Sequence, residues 1–234
     1  MLTFLFIHGG MQGGWCWRRV LPLLQIQEQQ IITPCLSGLG TKAHMHGPTI
    51  DLSTHIQDIV AIIDKDSLQD VILVGHSYGG MVATSAAAQR PDAIKRIIYL
   101  DAVLAEPGQS MATAILPKIW DGIHKKALLF GEGWQMPAMA SEDYGFEADV
   151  DKAFIQNQST PQSLACFTEP LSYDPDLHEK IPSLYIHCQK STFLSNMESR
   201  SKKMRIDYQT INAGHFVMIE APDLLASCLK EYKK

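Results

Sequence analysis

The stretch VILVGHSYGG, residues 71–80, decides the fold of this chain, together with the alanine-rich residues 81–90 that follow it. Four consecutive apolar residues predict a strand buried on both faces, and the run after the glycines predicts a helix. Between them stands G-x-S-x-G, which places Ser77 on a strained turn and exposes its hydroxyl. Ser77 is therefore the predicted nucleophile. A chance glycine-rich turn is less favoured, because strand, motif and helix occur in the required order.

Backbone donors near Ser77 are predicted to hold a developing negative charge. The N–H of Tyr78 lies at the first turn of the predicted helix, where N–H groups are unpaired and the helix dipole favours anions. A second donor could come from the loop HGGMQGG, residues 8–14, which follows a predicted strand at residues 2–7. After the loop, large apolar residues at helical spacing predict a helix at residues 15–24. Such a loop fits the second half of an oxyanion hole, but it is also typical of a simple turn.

A histidine near the end of the chain is the predicted general base. His215 follows a predicted strand at residues 206–211 and a glycine, so it lies on a loop at a strand end, where catalytic side chains are usually presented. A lone loop histidine is more often structural. The order serine, acid, histidine along the chain favours the catalytic interpretation.

The carboxylate that would orient His215 is assigned to Asp101. An imidazole that accepts a proton from Ser77 needs a carboxylate on its other nitrogen. Asp101 ends the predicted strand at residues 94–100, the strand that follows the predicted helix after Ser77. The alternative is that Asp101 only caps or braces the next loop.

Length and composition restrict the class of protein. A chain of 234 residues favours one domain with an insertion. The net charge of −5 and the scattered Lys and Arg residues predict no nucleic-acid or membrane-surface partner. Five cysteines without C-x-x-C spacing, and an apolar N-terminus too short for a signal, predict a reduced cytoplasmic protein without a membrane span. His44 and His46 have a spacing that suits a metal, but without further ligands nearby we predict none.

The order of elements predicts an α/β fold. Strands alternate with helices of ten or more residues, so a mostly parallel central sheet flanked by helices is expected, with the core at 1–103 and 182–234. Residues 104–181 instead carry Pro, Gly, Met and aromatic residues, which predicts a helical cap insertion over the strand ends. Short helices are predicted in it near residues 111–116 and 149–156, and a strand at residues 183–188 resumes the sheet. Its apolar side chains favour a largely apolar substrate compartment, although each one could be only insertion core.

With Ser77, His215 and the H-G-G loop in place, the sequence resembles the α/β-hydrolase superfamily over essentially its whole length. Within it, the opening HGGMQGGWCW at residues 8–17 is similar to the H-G-x-x-x-G-x-W-x-W of plant methylesterases, hydroxynitrile lyases and their bacterial relatives. GHSYGG at 75–80 and AGHF at 213–216 agree with this placement. The resemblance implies hydrolysis of a small, largely apolar carboxylic ester through an acyl-enzyme, without a cofactor. The implied oxyanion donors are the backbone N–H groups of Gly10 and Tyr78, and suggested pocket residues are Met11, Trp120, Trp134 and Phe216.

Two departures from that family bear on the chemistry. The hydroxynitrile lyases carry Thr where this chain has Gly9 and Lys where it has Phe216. At Phe216 this chain therefore has no cation to stabilise leaving cyanide, and lyase chemistry is the weaker hypothesis. Residues 185–197 contain no Asp or Glu, and Glu198 follows too far along a predicted helix. No Asp therefore stands at residues 189–191, where family members with an acid after the next-to-last strand place the triad acid. Certain haloalkane dehalogenases and lipases take it instead from the strand end where Asp101 stands. A ligand receptor on a hydrolase fold stays an alternative, and a homodimer is left open.

Overall fold

A computed structural model describes residues 1–24, 29–140 and 148–233, and a parallel sheet lies at its centre. The strands, in chain order, are β1 (Leu2–Ile7), β2 (Gln29–Ile32), β3 (Val71–His76), β4 (Ile94–Leu100), β5 (Gln135–Met136), β6 (Gln162–Ser163), β7 (Ser183–Cys188) and β8 (Asp207–Ile211). Among the described residues, six of these strands pair in parallel in the order β2-β1-β3-β4-β7-β8. The short strands β5 and β6 pair with each other in antiparallel fashion.

Helices cover both faces of the sheet. They are α1 (Leu21–Leu24), α2 (Leu52–Lys65), α3 (Gly79–Gln89), α4 (Met111–Ala114), α5 (Pro117–Phe130), α6 (Asp149–Gln158), α7 (Ala165–Thr168), α8 (Pro175–His178), α9 (Met197–Lys203), α10 (Val217–Glu220) and α11 (Pro222–Lys230). This arrangement confirms the predicted α/β fold with a mostly parallel sheet. No helix in the described part of the chain is both long and apolar enough to cross a membrane.

The alternation of side chains along the strands divides the core into two layers. On β1, Leu5 and Ile7 face the cluster that contains the apolar residues of α2 and α3, whereas Phe4 and Phe6 face the cluster with Trp17 and α11. All six residues of β3 are buried, as a central strand between two helical layers requires. Asp51 caps α2 by accepting a hydrogen bond from the Thr54 N–H at 2.8 Å.

The insertion between β4 and β7 carries α4 to α8 and the β5–β6 pair. Part of it, residues 141–147, lies outside the described residues. Short helices were predicted near residues 111–116 and 149–156, and α4 and α6 confirm them. The 14-residue helix α5 was not predicted. Its exposed apolar residues, including Leu128 and Phe130, interrupt the pattern of one apolar and one polar face.

One predicted helix, at residues 15–24, was wrong. The chain there forms a short 3₁₀ turn, Gly14–Trp17, and then the separate one-turn helix α1. Pro22 lies in the first turn of α1, where it fits, but a continuous helix would need the N–H that proline lacks. A Cβ on Gly14 would stand 2.1 Å from the carbonyl oxygen of Thr33, so the turn packs directly against the backbone.

Candidate active site

Ser77 stands at the tip of the turn between β3 and α3. Its φ of +53° lies in the left-handed region, which is strained for a residue with a side chain. A Cβ on Gly75 would lie 2.7 Å from the Gly79 carbonyl oxygen, and one on Gly79 equally close to that of His8. Only glycine therefore allows the chain segments to pass this closely, and the turn holds the serine at the carboxyl edge of the sheet.

The structure brings Ser77, His215 and Asp101 together from three different strand ends. His215 Nε2 lies 3.1 Å from Ser77 Oγ, and His215 Nδ1 lies 2.6 Å from Asp101 Oδ2. An ionised carboxylate only accepts hydrogen bonds, so Nδ1 carries the proton of the neutral ring. Nε2 is then free to accept the serine hydroxyl proton. This is the arrangement that nucleophilic catalysis by serine requires.

Asp101 is fully buried and accepts hydrogen bonds from other groups besides His215. Its Oδ1 accepts hydrogen bonds from His187 Nδ1 at 3.1 Å and from the Cys188 N–H at 3.3 Å. Burial alone would raise the pKa of Asp101, but the hydrogen bonds from His187 and His215 outweigh it and hold the pKa well below its usual range. The hydrogen bond between His187 and Asp101 also raises the pKa of His187. Asp101 is therefore a carboxylate with defined orientation.

His187 escaped the sequence analysis because its position matters only in the sheet. β4 and β7 pair with Leu100 opposite Ile186, so the next residues, Asp101 and His187, become neighbours. Nothing in the local sequence marks His187, and only the correct strand order could have found it.

A second histidine, His76, supports the loop that carries His215. His76 Nε2 donates to the backbone carbonyl oxygen of His215 at 2.8 Å. Burial lowers the pKa of His76 well below its usual range, and the neighbouring His215 lowers it further. The ring is accordingly neutral and holds the His215 backbone as a hydrogen-bond donor.

The glycine loop after β1 lies beside Ser77. Gly10 and Tyr78 line the same cavity as Ser77, and their backbone N–H groups donate to no acceptor within the described ranges of the chain. α3 begins at Gly79, so the Tyr78 N–H is one of the unpaired donors of a helix start. Gly9 is closely surrounded, since a Cβ there would stand 2.9 Å from His76 Nδ1 and 3.0 Å from Ser77 Cβ.

A cavity of about 870 Å³ opens in front of Ser77 and His215. Its walls come from the core and from the insertion, and several large apolar side chains line it. These include Met11, Met111, Met136, Phe167, Phe193 and Phe216. Charged residues such as Lys118 and Lys190 also contribute to the wall.

Of the four suggested pocket residues, Met11 and Phe216 line the cavity, whereas Trp120 and Trp134 are not part of its wall. On α5 the cavity side is formed by Ile119 and Ile123, and Trp120 stands about 100° around the helix from Ile119. Its ring stacks on His124 instead. Trp134 stacks on His46, with ring centroids 5.0 Å apart.

Within the described ranges, no group of three or more His, Cys, Asp or Glu side chains is placed to hold a metal ion. His46, one of the two histidines considered for a metal, has its Nε2 2.6 Å from Gln135 Oε1. This ring nitrogen of His46 is therefore engaged by a side chain of the protein.

Comparison with known proteins gives the family. A profile described as the alpha/beta hydrolase family matches residues 4–227. The chain belongs to this family. The match confirms the resemblance found in the sequence. The position of Ser77 between β3 and α3 agrees with it.

Similar proteins include esterases of bacteria and plants. The hydrolase is 33% identical to a carbendazim hydrolyzing esterase of Nocardioides sp. (strain SG-4G), over 98% of both chains. It is 31% identical to a pFDCC methylesterase of Arabidopsis thaliana, over 84% of this chain and 79% of that protein. Among solved structures, an extracellular alpha/beta-hydrolase from a Paenibacillus species superposes with a TM-score of 0.87 at 20% identity, covering 99% and 98% of the two chains. That similarity shows the fold.

Proposed function

We propose that this hydrolase cleaves carboxylic esters, with Ser77 as nucleophile, His215 as general base and acid, and Asp101 as the orienting carboxylate. The observation that carries the proposal is the position of the His215 ring. One ring nitrogen lies 3.1 Å from the Ser77 hydroxyl and the other 2.6 Å from a fully buried carboxylate. Esterases among the relatives support the reaction class.

The reaction proceeds in two halves. Ser77 Oγ attacks the ester carbonyl carbon while its proton passes to His215 Nε2, and the N–H groups of Gly10 and Tyr78 hold the resulting oxyanion. The tetrahedral intermediate collapses, the C–O bond to the alcohol breaks, and His215 gives its proton to the leaving oxygen. Water then attacks the acyl-enzyme with His215 as base, which releases the acid and restores Ser77.

The proposed substrate is a small ester with a largely apolar body. The cavity in front of Ser77 has room for a ring system, and Phe193 lies close to the catalytic base, with its ring centroid 5.4 Å from that of His215. The names of the relatives, a carbendazim hydrolyzing esterase and a methylesterase, point to methyl esters and methyl carbamates as the first compounds to assay.

The two alternatives from the sequence are less favoured. Hydroxynitrile-lyase chemistry lacks a cation at Phe216, and the relatives named as esterases point to hydrolysis. A receptor without turnover would not need the Ser77–His215–Asp101 geometry. The cytoplasmic location, the absence of a nucleic-acid partner and a homodimer stay predictions.

The test compares two serine-to-alanine variants. Ser77→Ala should lose several orders of magnitude in kcat on p-nitrophenyl and methyl esters, because removing the nucleophile leaves only binding and the oxyanion hole. Ser85→Ala is the matched control, since Ser85 lies on α3 and donates to the Ser172 carbonyl oxygen, away from the cavity. It should keep near-normal turnover. A serine-directed phosphonate should label wild type and Ser85→Ala once. Equal labelling or turnover of Ser77→Ala would refute the proposal.

A further inference from the structure

Both backbone polar groups of Met11 are held by the insertion. The Met11 N–H donates to Gln162 Oε1 at 2.8 Å, and the Met11 carbonyl oxygen accepts from the Thr160 N–H at 3.0 Å. Met11 directly follows Gly10 and has a φ of +58°, in the left-handed region. A residue with a side chain keeps such a conformation only where its surroundings fix it. The insertion supplies that constraint.

Gln162 is built into the protein at this point. It lies on β6, opposite Met136 of β5, and only 1% of it is exposed. A Cβ on Gly10 would stand 3.2 Å from its Oε1, so the amide group packs directly against the glycine. Because the Met11 N–H can only donate, the amide oxygen must face the loop. The described cavity wall does not include Gln162, so it acts on the loop and not on the substrate.

We propose that Gln162 is a positioning residue for the oxyanion hole and that it makes the insertion part of the catalytic machinery. The inference rests on the proposed function, in which the Gly10 N–H is one oxyanion donor. The peptide plane between Gly10 and Met11 cannot rotate without breaking the hydrogen bond to Gln162. This plane contains the Gly10 Cα and carbonyl group, and the Gln162 amide also packs against Gly10. Together the two contacts keep Gly10, whose own N–H lies in the preceding peptide, in place before the substrate arrives. Preorganised donors of this kind stabilise the transition state more than the ground state.

The variant that tests this is Gln162→Met, which keeps the length of the side chain and removes the acceptor. We expect kcat to fall roughly 10- to 100-fold, somewhat less than the loss of a whole oxyanion donor. KM for the same ester should change less than about threefold, because ground-state binding does not use the oxyanion hole. Binding of a trifluoromethyl ketone analogue of the ester, which forms a tetrahedral adduct, should weaken by the same factor as kcat/KM.

Ser163→Ala is the matched control on the same strand. Ser163 Oγ donates to the Pro48 carbonyl oxygen at 3.4 Å and so also joins the insertion to the core, but away from Met11. It should leave kcat and analogue binding within about twofold of wild type, since the oxyanion loop is untouched. Equal losses in both variants would show a general loosening of the insertion and would overturn the proposal. So would wild-type kcat and analogue affinity in Gln162→Met.

Amide hydrogen exchange at Met11, followed by NMR, needs no turnover. It should be faster in Gln162→Met than in wild type and Ser163→Ala, because the N–H has lost its acceptor. The two proposals thus fail in different ways. Esterase activity that survives Ser77→Ala refutes the proposed function, whereas unchanged Met11 exchange in Gln162→Met refutes the positioning role, whatever the turnover.

Discussion

Replacing Asp101 by Asn changes the charge beside His215 while leaving the shape of the side chain nearly intact. The structure indicates which way the new amide will point. His187 Nδ1 and the Cys188 N–H donate to Oδ1, and His215 Nδ1 donates to Oδ2 at the shortest of the three distances, 2.6 Å. The amide oxygen of Asn should therefore face His187 and Cys188, and its NH₂ group should face His215.

That orientation selects the tautomer of His215 that cannot act as the proposed general base. An NH₂ group only donates, so His215 must present an unprotonated Nδ1 to it and carry its proton on Nε2. Nε2, which lies 3.1 Å from Ser77 Oγ, then cannot accept the proton of the Ser77 hydroxyl. We expect kcat to fall by roughly 10³ to 10⁴, the scale of losing the orienting carboxylate. This corresponds to about 4 to 5.5 kcal/mol in the activation barrier.

The assay is ester turnover with the thermal transition measured in parallel. Asp151→Asn is the matched control, because it makes the same chemical change at the cavity wall, in a residue paired with Arg19 at 2.6 Å. It should keep kcat within a few-fold of wild type. A folded Asp101→Asn enzyme with near-normal kcat would refute the reasoning. The hydrolase would then work without a carboxylate on His215, since the side chain of Glu198 is 51% exposed and pairs with Lys202.

Two further predictions concern His8 and Gly9. Burial lowers the pKa of His8 from 6.5 to about 4, and its Nε2 accepts a hydrogen bond from the Leu36 N–H. The folded protein thus binds a proton at His8 less readily than the unfolded chain does. The resulting stabilisation of the folded state is complete above pH 6.5 and is lost as the pH falls to about 4. In urea unfolding at pH 7 and pH 4, the wild type should lose about 3 kcal/mol relative to His8→Gln, and a constant difference would contradict this. Gly9→Thr should lower ester kcat at least about tenfold, because the Cβ of the new side chain would stand 2.9 Å from His76 Nδ1. It should not create lyase activity, because Phe216 supplies no cation to stabilise leaving cyanide. The check is to measure ester cleavage and cyanide release from mandelonitrile side by side. Cyanide release faster than ester cleavage, in either the wild type or the variant, would contradict this prediction.

The parts of the protein that the sequence predicted correctly depend on local patterns. The strands β1, β4 and β7 have the predicted bounds, because a run of apolar residues bounded by turn residues is a local signal. The turn at Ser77 was equally readable, since its glycines are adjacent in sequence. Trp120 and Trp134 were misjudged because composition shows that aromatic residues are present but not which side of an element they occupy.

The sequence by itself determined the α/β class and the family, because each follows from motifs and elements whose residues lie close together in the chain. Only the tertiary structure decided what surrounds Ser77, Asp101 and His215. His187 reaches Asp101 across 86 residues, and Gln162 reaches Met11 across 151. Such contacts depend on the pairing of β4 with β7 and on the place where the insertion packs. These are set by the free energy of the whole core, and no short stretch of sequence contains that information.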